Sequence, residues 1–374
     1  MNQTALTHAH PPLFALPMTE LSTLPVRVES APLWPQNNQT KWTWSCRNLL
    51  PHTEYPVRYD DRGLPQAGDV AMVRVENLGY HIKLMTAQQG QLRLYPGDQL
   101  VGVFGHRYAT DAYEAQVVTL DNLSVLTNAG MIGTVLSKHQ DMKKPTFVTF
   151  LHYLTDEHGQ RLNLKRAHFH PKRSSQSLGN IILVVGSGMN SGKTTTMMKL
   201  TRSLLERGVR VAACKLTGSV STNDRGELCA TGAHFVTDFS DYGFPSTYLC
   251  GEDELHALFH TMMADAAAAR PDVTVVEIAD GLLQRETRLL LESPVIQRQV
   301  QGVVMAATCA SSAIFGLDQL HAHGHQVVTV SGIITNSPLF MRELMSQRET
   351  AIASSAGNGE ELAQVVMQYL ELGI

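Results

Sequence analysis

VVGSGMNSGKTTTMMKL (residues 184–200) runs from an apolar, strand-like segment through a turn rich in glycine and small polar residues into a segment suited to a helix. That order of strand, turn and helix gives a GKTT sequence the context of a phosphate loop, or Walker A motif. In such a loop the backbone N–H groups and the helix N-terminus face an anion, which assigns Gly186, Ser187, Gly188, Met189, Asn190, Ser191, Gly192, Lys193, Thr194 and Thr195 to nucleotide contact. Lys193 reaches the β and γ oxygens, and the Thr194 hydroxyl helps hold Mg²⁺. A chance GKT behind an ordinary turn would require all four features to coincide. The usual GxxxxGK[ST] spacing places glycine where Ser187 stands, with Gly186 and Gly188 on either side, so the motif is shifted by one place.

Downstream of Asn180, apolar strand-like runs alternate with amphipathic segments: IILVVG, VRVAACK, DVTVVEIA, GVVMAA and QVVTVSGIIT, with helices from Gly192, from about Glu252, over SSAIFGLDQLHAH and over EELAQVVMQYLEL. Near-continuous apolar strands between helices predict an α/β fold with a mostly parallel sheet covered on both faces. Upstream, DVAMVRVEN, YHIKLMT, QLRLY, QLVGVFG and EAQVVTL are short β-like runs separated by Gly, Pro and Asp. They predict a smaller β-rich domain, a barrel or a sandwich. Within it, LSVLTNAGMIGTVLSKH (123–139) has apolar residues at helical spacing and predicts a helix, followed by the strand-like TFVTFLHYL. The expected organisation is a Pro-rich extended lead-in over 1–40, a β-rich domain over 41–165, a linker over 166–179 and a P-loop NTPase domain over 180–374.

With 374 residues the chain exceeds the ~250–300 at which a single core stops growing, which favours two domains. Hydrophobic residues make up 43% and charged ones 17%, an ordinary globular balance that excludes a disordered or fibrous class. No apolar run approaches the roughly 20 residues of a membrane span, and the N-terminus lacks a basic start with an apolar stretch. A cytoplasmic location without membrane contact is therefore expected. Five scattered cysteines, none in CxxC spacing, suggest neither a disulfide framework nor a thiolate metal site.

The likeness extends beyond one loop. GSGMNSGKT resembles the GTDTxVGKT loop of dethiobiotin synthetase and its relatives, a P-loop NTPase group of the SIMIBI class. VAACKLTGS resembles that family's KPVxTG turn and matches Lys215; DVTVVEIADG resembles its VEGAGG turn and matches Glu277, with Asp280 and Gly281 behind it. VSGIITNSP follows in the position of VxGxxxN and matches Asn336. The resemblance covers about residues 180–356. It implies that Lys193, Lys215 and Glu277 serve catalysis, that Thr194 and Glu277 hold Mg²⁺, and that Asn336 touches the base. A further aspartate on the metal falls to Asp224, Asp238 or Asp241, among which spacing does not choose. The family's substrate-binding residues find no match, and the absence of an NKxD-like sequence favours ATP over GTP.

Other clusters weigh less. HAHGH, with His321, His323 and His325, sits at a helix end where alternate residues share no face, and an exposed terminus accounts for it better than a metal site. Met197 and Met198 are core fillers. GHRYATDAYEA concentrates His106, Arg107, Tyr108, Asp111 and Glu114; a substrate pocket or partner contact and an ion-paired surface loop fit it equally. The leading functional expectation is ATP- and Mg²⁺-dependent transfer of the γ-phosphoryl group to a small molecule, as a kinase or as a ligase through an acyl-phosphate. A second is a nucleotide-driven switch acting on a protein partner, with nucleotide-dependent homodimerisation. A third is a 5′-hydroxyl nucleic-acid kinase, supported only by the basic cluster KRAHFHPKR, so that nucleic acid is the least favoured partner.

Overall fold

A computed structural model describes residues 40–49, 55, 57–58, 61, 63–88, 90–173 and 178–373. Apart from Thr40, the expected Pro-rich lead-in lies outside the described residues, as does the SSQS part of the expected linker. The first ten strands are β1 (Thr40–Trp42), β2 (Val57–Arg58), β3 (Val70–Asn77), β4 (Lys83–Met85), β5 (Gln91–Arg93), β6 (Gln99–Phe104), β7 (Tyr113–Gln116), β8 (Leu123–Val125), β9 (Met131–Lys138) and β10 (Thr146–Leu154). Along β3, buried Ala71, Val73 and Val75 alternate with the more exposed Met72, Arg74 and Glu76, the two-residue period of a one-sided strand. The strands run in the order β6-β3-β10-β8-β9, and a parallel pairing of β6 with β9 joins the two ends. The β-rich part is thus a small barrel, whose interior Phe104, Ile132, Phe150 and Tyr153 fill.

Residues 123–139 correct the expectation of a helix. They form β8 and β9, paired antiparallel. Gly130, at φ 89°, ends the turn between them, and Leu123, Val125 and Ile132 all enter the barrel core. The apolar spacing that mimics a helix comes from two short strands on either side of a turn, and β-branched residues at 125, 132, 134 and 135 favour extension.

Six further strands, β11 (Asn180–Gly186), β12 (Val211–Lys215), β13 (Phe235–Asp238), β14 (Val273–Glu277), β15 (Gly302–Ala306) and β16 (Val327–Ser331), form an all-parallel sheet in the order β13-β12-β14-β11-β15-β16. The helices are α1 (Leu164–His168), α2 (Lys193–Glu206), α3 (Thr222–Ala230), α4 (Glu252–Ala268), α5 (Arg285–Glu292), α6 (Pro294–Gln297), α7 (Ala310–Ala322), α8 (Pro338–Met345) and α9 (Glu360–Tyr369). Ile181, Leu183 and Val185 of β11 pack on the face covered by α4, α5 and α7, whereas Ile182 and Val184 meet Met197 and Leu200 of α2 and Leu362 and Val366 of α9. Each such side chain contributes about 1.5–3 kcal/mol when fully buried, and the two-sided burial explains why the strands are apolar at every position.

The barrel and the sheet belong to one compact unit. Trp44, Leu126, Ala129 and Met131 of the barrel share an apolar cluster with Val220 beyond β12. Nearby, the Arg47 guanidinium donates to Ser240 at 3.0 Å and to Asp241 at 2.7 Å. Asp241 and Asp238 form a capping box around the short helical turn Phe239–Tyr242, and Arg225 binds Asp241 from the other side at 3.0 Å. Within the basic cluster, Lys165 pairs with Glu254, Arg166 with Asp69 at 3.7 Å and Lys172 with Asp265 at 2.8 Å, so three of its cations face carboxylates of this chain. His325 departs from the expected exposed terminus: it is buried and its Nε2 lies 2.8 Å from the Leu291 carbonyl. Among the described residues no helix is long and apolar enough to cross a membrane, and all five cysteines are free.

Burial raises the Asp241 pKa, but Arg47 and Arg225 outweigh it and hold the carboxyl below its ordinary range. Its ion pairs therefore stabilise the fold above the unfolded aspartate pKa and fade as pH falls through the depressed value. Arg47→Ala is expected to cost about 2–3 kcal/mol at pH 7, less than the ~3–5 of a fully broken buried pair because Arg225 remains. Urea unfolding of both proteins checks this, with the difference shrinking as the pH is taken toward 3.

Candidate nucleotide site

The site grows from the carboxyl ends of three adjacent strands. β11 leads into the phosphate loop, while β12 ends at Lys215 and β14 ends at Glu277, directly paired in register. Strand ends of this kind are where open parallel sheets bind ligands. The base of the loop is fixed by Ser187 N–H donating to the Ala306 carbonyl at 2.9 Å and Leu282 N–H donating to the Gly186 carbonyl at 3.1 Å. The chain then turns through Asn190 at φ 58° and Gly192 at φ 95° into α2. A side chain at Gly192 would meet the Gly332 backbone at 3.1 Å in addition to a left-handed φ, which is why glycine stands there.

Lys193 Nζ donates to the Gly188 carbonyl at 2.8 Å, folding its ammonium back over the loop. Thr194 Oγ1 donates to Glu277 Oε1 at 3.2 Å. Lys215 Nζ lies 3.0 Å from Glu277 and 2.8 Å from Asp224, with Lys215 only 6% and Glu277 only 1% exposed. The other Glu277 oxygen, Oε2, and Ser191 Oγ are buried without a hydrogen-bond partner. Burial drags the Lys215 pKa down, but Glu277 and Asp224 overcome it and hold the ammonium above the ordinary lysine value. Lys193 goes the other way: burial lowers it, Glu277 and Asp280 only partly offset this, and Lys215 adds repulsion. Asp280 is raised, chiefly by burial, against the pull of Lys193 and Lys215.

Lys193, Thr194, Lys215, Asp224, Glu277 and Asp280 line one cavity of about 710 Å³. Its opposite wall comes from the barrel, with Tyr80, His81, Arg107, Tyr108 and Asn128. Asn190 of the loop donates to Asp111 at 2.8 Å, and the Tyr108 and Tyr248 rings lie 5.5 Å apart, so the wall touches the loop and its flank. Part of GHRYATDAYEA therefore forms the pocket, while His106 accepts from the Val117 N–H at 3.1 Å and Glu114 accepts from Ser137 at 2.8 Å outside it.

Of the residues expected from sequence, Met189 through Thr195 line the cavity, and Gly186, Ser187 and Gly188 form the base of the loop behind it. Of the three aspartates, Asp224 alone lines the cavity; Asp238 and Asp241 are held by Arg47, Arg225 and their own capping box. Asn336 is exposed at the end of a short helical turn whose first residue, Ile333, reaches the cavity. Asp280, Tyr80, His81 and Asn128 had no role assigned from sequence, whereas Arg107 and Tyr108 belong to the stretch weighed there as a candidate pocket. Asp280 follows Glu277 by three places and was visible; Tyr80, His81 and Asn128 carry no local signal.

No family model matches the chain. The ATP-dependent dethiobiotin synthetase BioD of Mycobacteroides abscessus is 30% identical over 131 residues, covering 31% of this chain and 58% of that relative. The chain therefore spans less than two thirds of this curated relative. Among solved structures, signal recognition particle 54 kDa protein from Aeropyrum pernix K1, in complex with GDP, is 18% identical at a TM-score of 0.36, over 56% of this chain and 51% of that one. Hydrogenase maturation factor HypB from Archaeoglobus fulgidus is 11% identical at a TM-score of 0.35, over 52% of this chain and 91% of that one. The strand, loop and helix around Lys193 define a P-loop NTPase. Over the 131 residues matched, the chain resembles the dethiobiotin synthetases of this class.

Replacing Lys215 by methionine removes the cation between two carboxylates, one of them fully buried. We expect a loss of about 2–4 kcal/mol in urea unfolding, and partial recovery when Glu277→Gln is added, because the second change removes the stranded charge.

Proposed function

We propose that the chain is an ATP- and Mg²⁺-dependent enzyme that transfers the γ-phosphoryl group to a small-molecule acceptor. The observation that carries this reading is the pair of buried ammonium groups, Lys193 and Lys215, in a cavity that the barrel walls on its far side. A volume of about 710 Å³ lies within the ~300–1,000 Å³ of small-ligand sites. Phosphoryl transfer needs positioning and charge neutralisation more than covalent help, and two fixed ammonium groups supply the second. The name of the curated relative, an ATP-dependent synthetase, agrees with this reading.

The residues present fit a magnesium ion. Glu277 Oε2 is a buried carboxylate oxygen without a partner beside the Thr194 hydroxyl. Among the described residues no group of three or more His, Cys, Asp or Glu is placed to hold a metal ion. Thr194 and Glu277, with Asp224 next to them, would hold the magnesium ion, and it would neutralise charge on the β and γ oxygens. Lys193 and Lys215 stabilise charge that moves toward the leaving diphosphate. The acceptor oxygen forms its bond to the γ phosphorus as the bond to the β–γ bridging oxygen breaks, giving ADP and a phosphorylated acceptor. With a hydroxyl acceptor, the proton passes to Asp280, whose raised pKa suits it to that task. With a carboxylate acceptor the product is an acyl-phosphate and no proton moves. Asn336 is assigned to the adenine edge.

ATP turnover is expected to be slow in the protein alone and to rise sharply with one class of metabolite. Lys193→Ala should weaken Mg·ATP binding about 10- to 100-fold by calorimetry while circular dichroism stays unchanged. A metabolite screen without any rate response, together with an ATP-dependent change in mass or partners, would replace this reading by the switch.

A further inference from the structure

Arg107 is the cation that the site has not yet used. Its backbone is pinned by reciprocal hydrogen bonds with Ala115, its N–H donating at 2.8 Å and its carbonyl accepting at 2.9 Å. Its guanidinium carbon lies 5.7 Å from the centre of the Tyr113 ring, and the Tyr113 hydroxyl is in turn tied to the Lys143 carbonyl at 2.7 Å. The side chain is thus built in on a rigid strand edge. Yet it makes no hydrogen bond or ion pair with any described residue, and its Nη1 is buried without a partner. Two acidic groups act on it through space, Asp111, which accepts from Asn190 at 2.8 Å, and Asp280, but neither forms an ion pair with it. His81, the imidazole of the same wall, has its Nδ1 3.1 Å from the Val125 carbonyl. Burial, with Arg107 adding, pushes its pKa down to about 4, so it is neutral and competes for no anion.

A guanidinium offers a planar fork of donors that matches the two oxygens of an oxyanion, and burial multiplies the value of that match. Tyr80, Tyr108 and Asn128 flank it in the wall with aromatic surface and hydrogen-bonding groups. We propose that the barrel is the acceptor-recognition half of the site and that Arg107 binds an oxyanion, carboxylate or phosphate, carried by the acceptor. This assignment rests on the phosphoryl-transfer reading of the same cavity. It also gives the two halves of the chain separate tasks: the parallel sheet holds the nucleotide, and the barrel chooses what is phosphorylated.

The test uses the full chain saturated with Mg·AMP-PNP, so that the γ position is filled, and titrates in potassium succinate or inorganic phosphate by calorimetry. One of the two should bind; stronger succinate binding assigns an acid as acceptor, stronger phosphate binding a phosphorylated one. Arg107→Gln should weaken that anion at least tenfold while Mg·AMP-PNP affinity stays within about twofold, and Arg107→Lys, which keeps charge without the fork, should fall between them. The nucleotide affinity serves as the check on folding. If the anion binds only to the Mg·ADP form, or if Arg107→Gln weakens Mg·AMP-PNP but not Mg·ADP, Arg107 serves the γ-phosphate and the proposal is overturned with the phosphoryl-transfer reading intact. Failure of both anions to bind the Mg·AMP-PNP form also overturns it. Should the unaltered chain take up no magnesium nucleotide, the underlying reading fails first, a result seen before any anion is added.

Discussion

The ammonium of Lys215, held between Asp224 and Glu277 at the carboxyl ends of two neighbouring strands, is the interaction around which the site is arranged. A single buried charge there would be costly, and the pairing of Glu277 with Lys215 offsets the burial of both. The register of β12 on β14 places them side by side, and that register follows from packing two apolar strands whose every residue is buried. Thr194, the second residue of α2, reaches the same carboxylate, so the helix start, the loop and the strand ends share one electrostatic centre. The cost of burying charge is largely offset inside the protein, and one buried Glu277 oxygen is left without a partner.

The barrel turns this exposed strand edge into a cleft with a second wall. Its contact is partly apolar, through Trp44, Leu126 and Met131 against Val220, and partly ionic, through Arg47 against the capped turn at Asp238–Asp241. These contacts lie beside the stretch that leads from β12 into α3, the segment that carries Asp224. Attachment of the barrel and placement of Asp224 are therefore mechanically linked. The same packing explains why the two other aspartates expected near the metal are elsewhere: they hold the turn that receives Arg47.

How much of this was legible in the chain follows from the range of each interaction. The phosphate loop, the parallel sheet and the Lys215–Glu277 neighbourhood were legible because each depends on local pattern: apolar runs, glycine positions and strand ends. Residues 123–139 misled because two short strands joined at Asn128–Gly130 carry apolar residues at intervals that a helix also satisfies; only pairing with β6 and β10 decides between them. Choosing Asp224 over Asp238 and Asp241 required knowing that Arg47, some 190 positions away, claims the other two. Tyr80, His81 and Asn128 join the cavity wall only through barrel closure, a long-range event with no local sequence mark.

The unmet groups form a pattern. Among the residues lining the cavity, Glu277 on the sheet side has a buried carboxylate oxygen without a partner, and Arg107 on the barrel side a buried guanidinium nitrogen without one. A buried polar group left unpaired costs on the order of 1–3 kcal/mol, more when charged, and the two are not joined to each other. Either could have been relieved within the protein by one more neighbouring side chain, as Asp238 and Asp241 are relieved by Arg47 and Arg225. Their persistence in residues lining one cleft suits a preorganised site, since groups already desolvated and fixed need little reorganisation when complementary charges arrive. A ligand that relieved both would bring positive charge next to Glu277 and negative charge next to Arg107. A metal-bound nucleotide alone answers the first demand. The second falls to whatever molecule occupies the barrel side.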